Sequence, residues 1–471
     1  MKSINYALLF LGCLLFHIIG TWSIPLIDRD EPRFAEASRE MIEGGDYVVP
    51  HFNNQLRLDK PPLAYWAQVV SFRILGENDF AARFPSAIAA ALVAMSILAW
   101  GSRVGGNRVG WWAAIIFTLS LQTFLHAKAA VADMWLVLFV TTAHWAGYEL
   151  IQRPASNGKW WFVFYISLAL GFLAKGPIAW TPLLTIAAFK YFSRDVGLAR
   201  RFKFVRSIFL MLASVALWGV PALIQTHGEF FRIGIGRHVI GRSFSAMESH
   251  GSNSFGIYLL LLPFYFLTIF ASLFPWSLKL PLLTKKLWRQ RDKVDIYLLC
   301  GAGIIFVIFT LIKTKLPHYT LPAFPLLALL AARHIDSERF LKSAATAAIC
   351  LYLALAFFAA PFAARFFPAS QLYRQASADL KAEMEFGAVD FQEPSLVWYF
   401  RSRVKGWMTP LNSKNATEFM QRNGPRFVIL PIEMAEDASP NPPATWKSFL
   451  TSGFNVAKGK RVDLTLLLKT E

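Results

Sequence analysis

Charge is scarce in this chain. Only 17% of its 471 residues are Asp, Glu, Lys or Arg, while 55% are hydrophobic and 15% aromatic. A soluble protein of this length exposes far more charge, so an ordinary water-soluble fold is excluded. Acid is scarcer than base, 30 residues against 48, for a net charge of +18. Cysteine is nearly absent. Cys13, Cys300 and Cys350 all sit in or at the ends of apolar runs. That excludes a disulfide framework and a cysteine-built metal cluster, and leaves them as packing residues. No short-period repeat is present. No small-residue cleavage site follows the first apolar run, so residues 5–27 read as a membrane span and not as a removed signal peptide.

What is present in abundance is apolar sequence of spanning length. Runs of about 16 to 25 residues fall near 5–27, 83–101, 110–126, 131–150, 160–175, 177–192, 207–226, 255–278, 294–312, 319–333 and 343–366. A polytopic α-helical membrane protein of about eleven spans, up to thirteen, is expected. If Lys2 is cytoplasmic, alternate loops collect the bases: Arg103 and Arg108, Arg153 and Lys159, Arg194 to Arg206, Lys285 to Lys293, and Arg333 to Lys342. The two strongest basic clusters, far apart in sequence, share one side. The positive balance is topological, and no nucleic-acid partner is expected.

The opposite side collects the unusual sequence. Loop 28–82 reads DRDEPRFAEASREM, GGDYVVP and LRLDKPPLAYW. Pro32 near its start and Gly44-Gly45 at its end frame a helix from Glu31 to Glu43, with Asp30 as its cap. Its apolar positions Phe34, Ala37, Ser38, Met41 and Ile42 share a face, and Arg33, Glu36, Arg39, Glu40 and Glu43 supply polar faces, as in a helix lying along a membrane interface. A second helix is expected after Lys60-Pro61-Pro62. Asp133, Lys175, Lys313 and Lys315 lie within or at the rim of apolar spans, where a charge costs about 2.5–3.5 kcal/mol or more. One such residue could snorkel to the interface. Several converging with an acidic loop predict a polar cavity open to the outer leaflet. Residues 1–366 then form the membrane domain. The more polar tail, 367–471, carries strand-like runs at 426–432 and 462–469 and is expected to form a small extracytoplasmic α/β domain.

RDEPRFAEASREM followed by LDKPPLAYW resembles the first extracytoplasmic loop of polyprenyl-phosphate-dependent glycosyltransferases of the GT-C fold. The likeness is nearest to the lipid A aminoarabinose transferases and more distant to protein O-mannosyltransferases. AVADMW, LAKGP, GRHVIGR at 236–242 and KLPHYTLP at 315–322 continue it in family order, over roughly residues 25–325. The resemblance implies Asp30 as the catalytic aspartate and Asp133 as a second acid. It implies Arg33, Lys60, Lys175 and Tyr319 around the phosphate of a lipid-linked sugar donor. His238 and the acid before Lys-Pro, here Asp59 where the aminoarabinose enzymes have glutamate, would be the ligands of a divalent metal ion in some relatives.

The chemistry agrees. A lipid phosphate is already a stable leaving anion, so the reaction wants cations, supplied by Arg33, Lys60, Lys175 and Lys313, more than a general acid. A hydroxyl acceptor wants a carboxylate base on the opposite face, and in-line attack inverts the anomeric carbon. Asp30 fits that base. A phosphate acceptor would need it only for orientation. The acceptor is a lipid, glycan or protein. Asp28-Arg29-Asp30 also matches the DxD of nucleotide-sugar transferases, but it faces away from the cytoplasm, where such sugars are made. An oligosaccharide ligase or polymerase, and then a transporter, are the alternative readings.

Overall fold

Each apolar interval carries helix in the computed structural model, which describes residues 3–152, 158–193, 201–241, 254–435, 443 and 445–471. Arg153, Arg194, Arg200 and Arg242 lie outside the described residues. Helix α1 (Ser3–Ile18) leads into the first polar loop with α2 (Asp30–Gly44) and α3 (Leu63–Leu75). Then come α4 (Asp79–Thr118), α5 (Leu121–Ala127), α6 (Asp133–Gln152), α7 (Trp160–Lys175), α8 (Thr181–Ser193) and α9 (Phe204–Gln225). After the π-helical stretch Phe231–Gly241 follow α10 (Phe264–Ser272), α11 (Leu280–Arg289), α12 (Lys293–Leu311), α13 (Phe324–His334) and α14 (Glu338–Ala354).

The spans are less regular than the hydropathy pattern predicts. Among the described residues, four helical stretches are long and apolar enough to cross a membrane: Asp79–Thr118, Phe204–Gln225, Lys293–Leu311 and Glu338–Phe366. A fifth counts if Phe264–Ser272 and Trp276–Arg289, bent by 117°, act as one. Glycine and proline make the difference. Within α4 the backbone leaves helical geometry at Gly106 (φ 79°, ψ 176°), and the two expected runs 83–101 and 110–126 fold back on each other there. Gly101 and Gly110 meet so closely that a Cβ on Gly101 would stand 2.7 Å from the Gly110 Cα. The expected runs 160–175 and 177–192 meet at Gly176 (φ 79°) and Pro177, which leaves Lys175 at a helix end.

In the first polar loop α2 covers the expected helix, and α3 starts directly after Pro62, as expected. Between them the chain makes a hairpin, β1 (His51–Phe52) against β2 (Gln55–Leu56). Its two central residues, Asn53 and Asn54, both take positive φ, as a two-residue hairpin turn with matching twist requires. Glu40 of α2 accepts both turn N–H groups, at 2.5 and 3.1 Å.

The tail begins with α15 (Pro368–Ala376) and builds a five-stranded sheet from β3 (Glu385–Val389), β4 (Met408–Leu411), β5 (Arg426–Pro431), β6 (Lys447–Asn455) and β7 (Lys460–Lys469), in the order β4-β3-β5-β7-β6. The parallel pairs β3·β4 and β3·β5 enclose the crossover helices α16 (Pro394–Phe400) and α17 (Ser413–Gln421), and β5·β7 and β6·β7 are antiparallel. β5 is apolar along its length because both of its faces are covered. Phe427 and Ile429 pack with Leu396 and Phe400, while Val428 and Leu430 pack with Phe419 and Met420.

The polar face of α2 does not lie open at an interface. It is the seat of the tail. Glu36, Arg39 and Glu40 are buried. Arg401, just past α16, pairs with Glu36 and donates to Glu43 at 2.6 Å. Arg39 donates to Glu36 at 2.7 Å and stacks 3.9 Å from the Trp398 ring. A helix with charge on several faces satisfies it internally when a second charged element covers it, and the α2 periodicity alone does not distinguish the two situations.

Candidate functional site

The break after α7 is the structural origin of the site. Lys175 ends α7, and its ammonium donates to Asp133 Oδ1 at 2.6 Å at the start of α6, where the carboxylate is favoured by the helix N-terminus. A cavity of about 690 Å³ opens beside this pair. Its lining includes Asp59, Lys60, Asp133, Lys175, His318 and Tyr319 at the polar end. Phe172, Trp180, Trp218, Phe230, Ile308 and Phe309 line the apolar part. A long apolar chamber with a few convergent charges suits an amphipathic ligand.

Loop geometry brings the remaining groups to its rim. Arg57 is buried and donates to the Tyr65 hydroxyl at 2.9 Å. Its guanidinium stands 3.4 Å from Asp59 Oδ2 and interacts electrostatically with Asp30. Arg57 thus links the two acids of the loop. Lys60 faces His318 electrostatically, and Tyr319 stacks its ring 4.9 Å from Phe309, with the Lys175 ammonium 5.8 Å above it.

The sequence-predicted residues separate into groups. Lys60, Asp133, Lys175, Tyr319 and Asp59 all line the cavity. Asp30, Arg33 and Lys313 are outside its lining. Asp30 is exposed at the first residue of α2, where Arg29 and not Asp30 takes the cap position, and no side chain caps the helix. Its carboxylate forms no hydrogen bond or ion pair with any described residue. His238 belongs to the π-helical stretch, and its side chain lies outside the described residues, so the Asp59–His238 pairing has no described geometry. Lys315 is spent elsewhere: its buried ammonium donates to the Phe309, Thr310 and Ile312 carbonyls at 2.5–3.0 Å, closing the end of α12. Lys128 does the same for α1 through Phe16, His17 and Ile19. Such charges satisfy helix-terminal carbonyls. Asp28 is also committed, accepting from the Ser395 N–H at 2.9 Å and its hydroxyl at 2.6 Å. Burial pushes its carboxyl up to about 7, and the DxD match therefore has only one uncommitted acid.

Three residues escaped the sequence reading: Arg57, His126 and His318. His318 stands inside the quoted KLPHY stretch, which was the available signal for it. His126 had none, since a neutral histidine at the end of a short apolar helix carries little pattern.

Comparison with known proteins places the fold. A family model described as dolichyl-phosphate-mannose-protein mannosyltransferase matches residues 59–221. The undecaprenyl phosphate-alpha-4-amino-4-deoxy-L-arabinose arabinosyl transferase of Erwinia tasmaniensis is 30% identical over 347 residues, 71% of this chain and 60% of the relative. That of Aeromonas salmonicida is 31% identical over 351 residues, 71% of this chain and 61% of the relative. The chain spans about three fifths of the length of these curated relatives. The crystal structure of ArnT from Cupriavidus metallidurans bound to undecaprenyl phosphate superposes with a TM-score of 0.80 at 17% identity, covering 98% of each chain. The oligosaccharyltransferase of Archaeoglobus fulgidus in its apo form gives 0.53 at 12% identity, over 92% of this chain and 70% of that one. The chain has the fold of these GT-C membrane glycosyltransferases, with a C-terminal sheet region, and resembles the aminoarabinose transferases.

Proposed function

We propose that this chain is an integral membrane glycosyltransferase that moves a sugar from a polyprenyl-phosphate donor to an acceptor on the extracytoplasmic face, with inversion. The observation that carries this reading is the cavity of about 690 Å³ whose largely apolar lining includes Lys60, Lys175 and Tyr319. A polyprenyl phosphate has the matching form, an anion on a long hydrocarbon. Lys60 and Lys175 neutralise the departing phosphate in a poorly screened site, with Tyr319 lining the cavity beside them. Arg33, one turn along α2 from Asp30, and Lys313, next to the lining residue Ile312, extend the positive rim. Asp133 holds Lys175 in place. Asp30 is the base for a hydroxyl acceptor, or the orienting group for a phosphate acceptor.

The alternation of basic loops supports a multi-pass inner-membrane topology of about eleven spans. It puts the cavity, α2, α3 and the tail domain 367–471 on the periplasmic side, and residues 1–366 form the catalytic membrane domain. The relatives' names give undecaprenyl phosphate as the carrier and an aminodeoxyarabinose as the sugar. For this chain a lipid A-like lipid, another glycan or a protein is the acceptor class, with the lipid favoured by the likeness. The test is mass spectrometry of envelope lipids and glycans with and without the gene. One missing sugar mass on a single acceptor is expected, and unchanged profiles would refute the reading. Loss of a whole oligosaccharide block would favour a ligase instead.

A further inference from the structure

Two histidines, His318 in the cavity lining and His126 behind it, have no role in that reaction. His126 of α5 and His318, just beyond α12, have ring centroids 4.8 Å apart. One ring nitrogen of each and a carboxylate oxygen of Asp133 lie within 4.8 Å of one another. Asp133 gives Oδ1 to Lys175, and its Oδ2 makes no hydrogen bond with a described residue. Neither do the ring nitrogens of His318. His126 engages only its Nδ1, 2.9 Å from the Gln122 amide. Each of the three residues therefore keeps at least one ligand atom without a hydrogen-bond partner among the described residues, and each offers one ligand atom within 4.8 Å of the other two.

We propose that His126, Asp133 and His318 form a binding site for a divalent transition-metal ion of the zinc class. Two imidazoles and one carboxylate are a donor set such ions favour, with a further position left for water or substrate. Ligand bonds of about 2.0–2.2 Å in a tetrahedral site set ligand atoms about 3.3–3.6 Å apart, so a pair standing at the 4.8 Å limit must draw in by about 1.2–1.5 Å. The open position faces the cavity, since Asp133 and His318 line it.

Outer contacts are in place for this role. Ser272 donates its hydroxyl to Gln122 Oε1 at 3.2 Å. Turning the Gln122 amide about lets its oxygen accept from His126 Nδ1–H, which frees the Nε2 lone pair for a metal, and the Ser272 hydroxyl rotates to accept from the amide. Lys175 is the competitor. Its ammonium and the ion draw on the same carboxylate, so the ion binds against a charge already present.

The site is tested on tag-free, detergent-purified full-length protein without any donor lipid, which makes the result independent of the glycosyl-transfer reading. Cobalt(II) is titrated and followed by its visible absorption, then displaced with zinc. One equivalent per chain is expected. His126→Gln and His318→Gln, which keep bulk and hydrogen-bonding capacity, each weaken binding by at least about tenfold, and Gln122→Ala by about tenfold. Lys175→Met tightens it. The proposal is overturned if the wild type takes up no stoichiometric cobalt, or if both histidine variants bind as the wild type does. Loss of cobalt in Asp59→Asn with retention in the histidine variants would place the ion elsewhere and overturn it equally.

Discussion

The two aspartates proposed for this site stand under opposite conditions. Asp133 is buried and already holds Lys175 at 2.6 Å. Asp30 is exposed, and its carboxylate accepts no hydrogen bond from a described residue. An ammonium bonded to a carboxylate weakens it as a base, so of the two proposed acids Asp30 suits the base and Asp133 the anchor. Asp30→Asn is expected to lower transfer to an acceptor hydroxyl by about 10²–10⁴-fold while leaving the membrane level of the protein unchanged. Substantial residual turnover in a membrane assay would remove Asp30 from that role. The same contrast explains which residues were legible in sequence. Asp133 and Lys175 stand out because an ionised group in an apolar run is expensive and needs a reason. Lys315 looked alike by that measure, yet its ammonium, like that of Lys128, closes a helix end. That use depends on three carbonyls brought together by the fold, and no pattern in the sequence encodes it. The neutral histidines cost little to bury and were correspondingly silent.

At the scale of elements, α2 is the informative case. Its framing Pro32 and Gly45 and its apolar stripe gave the helix nearly to the residue, while its charged faces were read as facing water and headgroups. They face Arg401 and Trp398 instead, brought there by α16. Local amphipathicity reports that a helix has charged faces. It does not report that a segment more than 350 residues later carries the countercharge. This network is buried, so its members depend on one another. Arg401→Met leaves Glu36 with Arg39 alone and Glu43 without its guanidinium, and is expected to cost about 3–5 kcal/mol, the usual penalty for breaking a buried pair from one side. Replacing Glu36 as well, in Glu36→Leu/Arg401→Met, removes the stranded charge and recovers a large part of the loss. Thermal unfolding in detergent measures both. Equal destabilisation by the single and double variants would mean that Arg401 acts through packing against Trp407, 3.8 Å from its guanidinium, and not through the pair.

At the scale of the whole molecule, the tail is fastened to the membrane part by contacts that converge on residues 26–79. The hairpin tip Asn53 exchanges two hydrogen bonds with the Met408 backbone at 2.8 and 2.9 Å. Asp79 accepts from Trp398 and Tyr399 at 2.8 Å each, and Asp28 accepts from Ser395. Four acids of this joint, Asp28, Glu36, Glu40 and Asp79, have carboxyls displaced upward by burial. Asp28 is pushed up to about 7, and Glu40, buried and beside Glu36, also to about 7. Their ordinary values in an unfolded chain lie near 3.9 and 4.3. A carboxyl whose folded value is raised favours the protonated, docked state. Its contribution is fully present below about pH 4 and is lost as pH rises through about 7. The joint is therefore expected to loosen progressively between about pH 4 and pH 7 and to change little above that, with a falling unfolding temperature and faster proteolysis ahead of residue 385 in the full-length protein across the interval. Asp28→Asn keeps an uncharged group of the same shape and should flatten much of that pH dependence, with Glu40→Gln removing more. An unfolding temperature that stays level or rises over this interval would show that both acids remain ionised in the docked state, held there by the Ser395, Asn53 and Asn54 donors against the cost of burial.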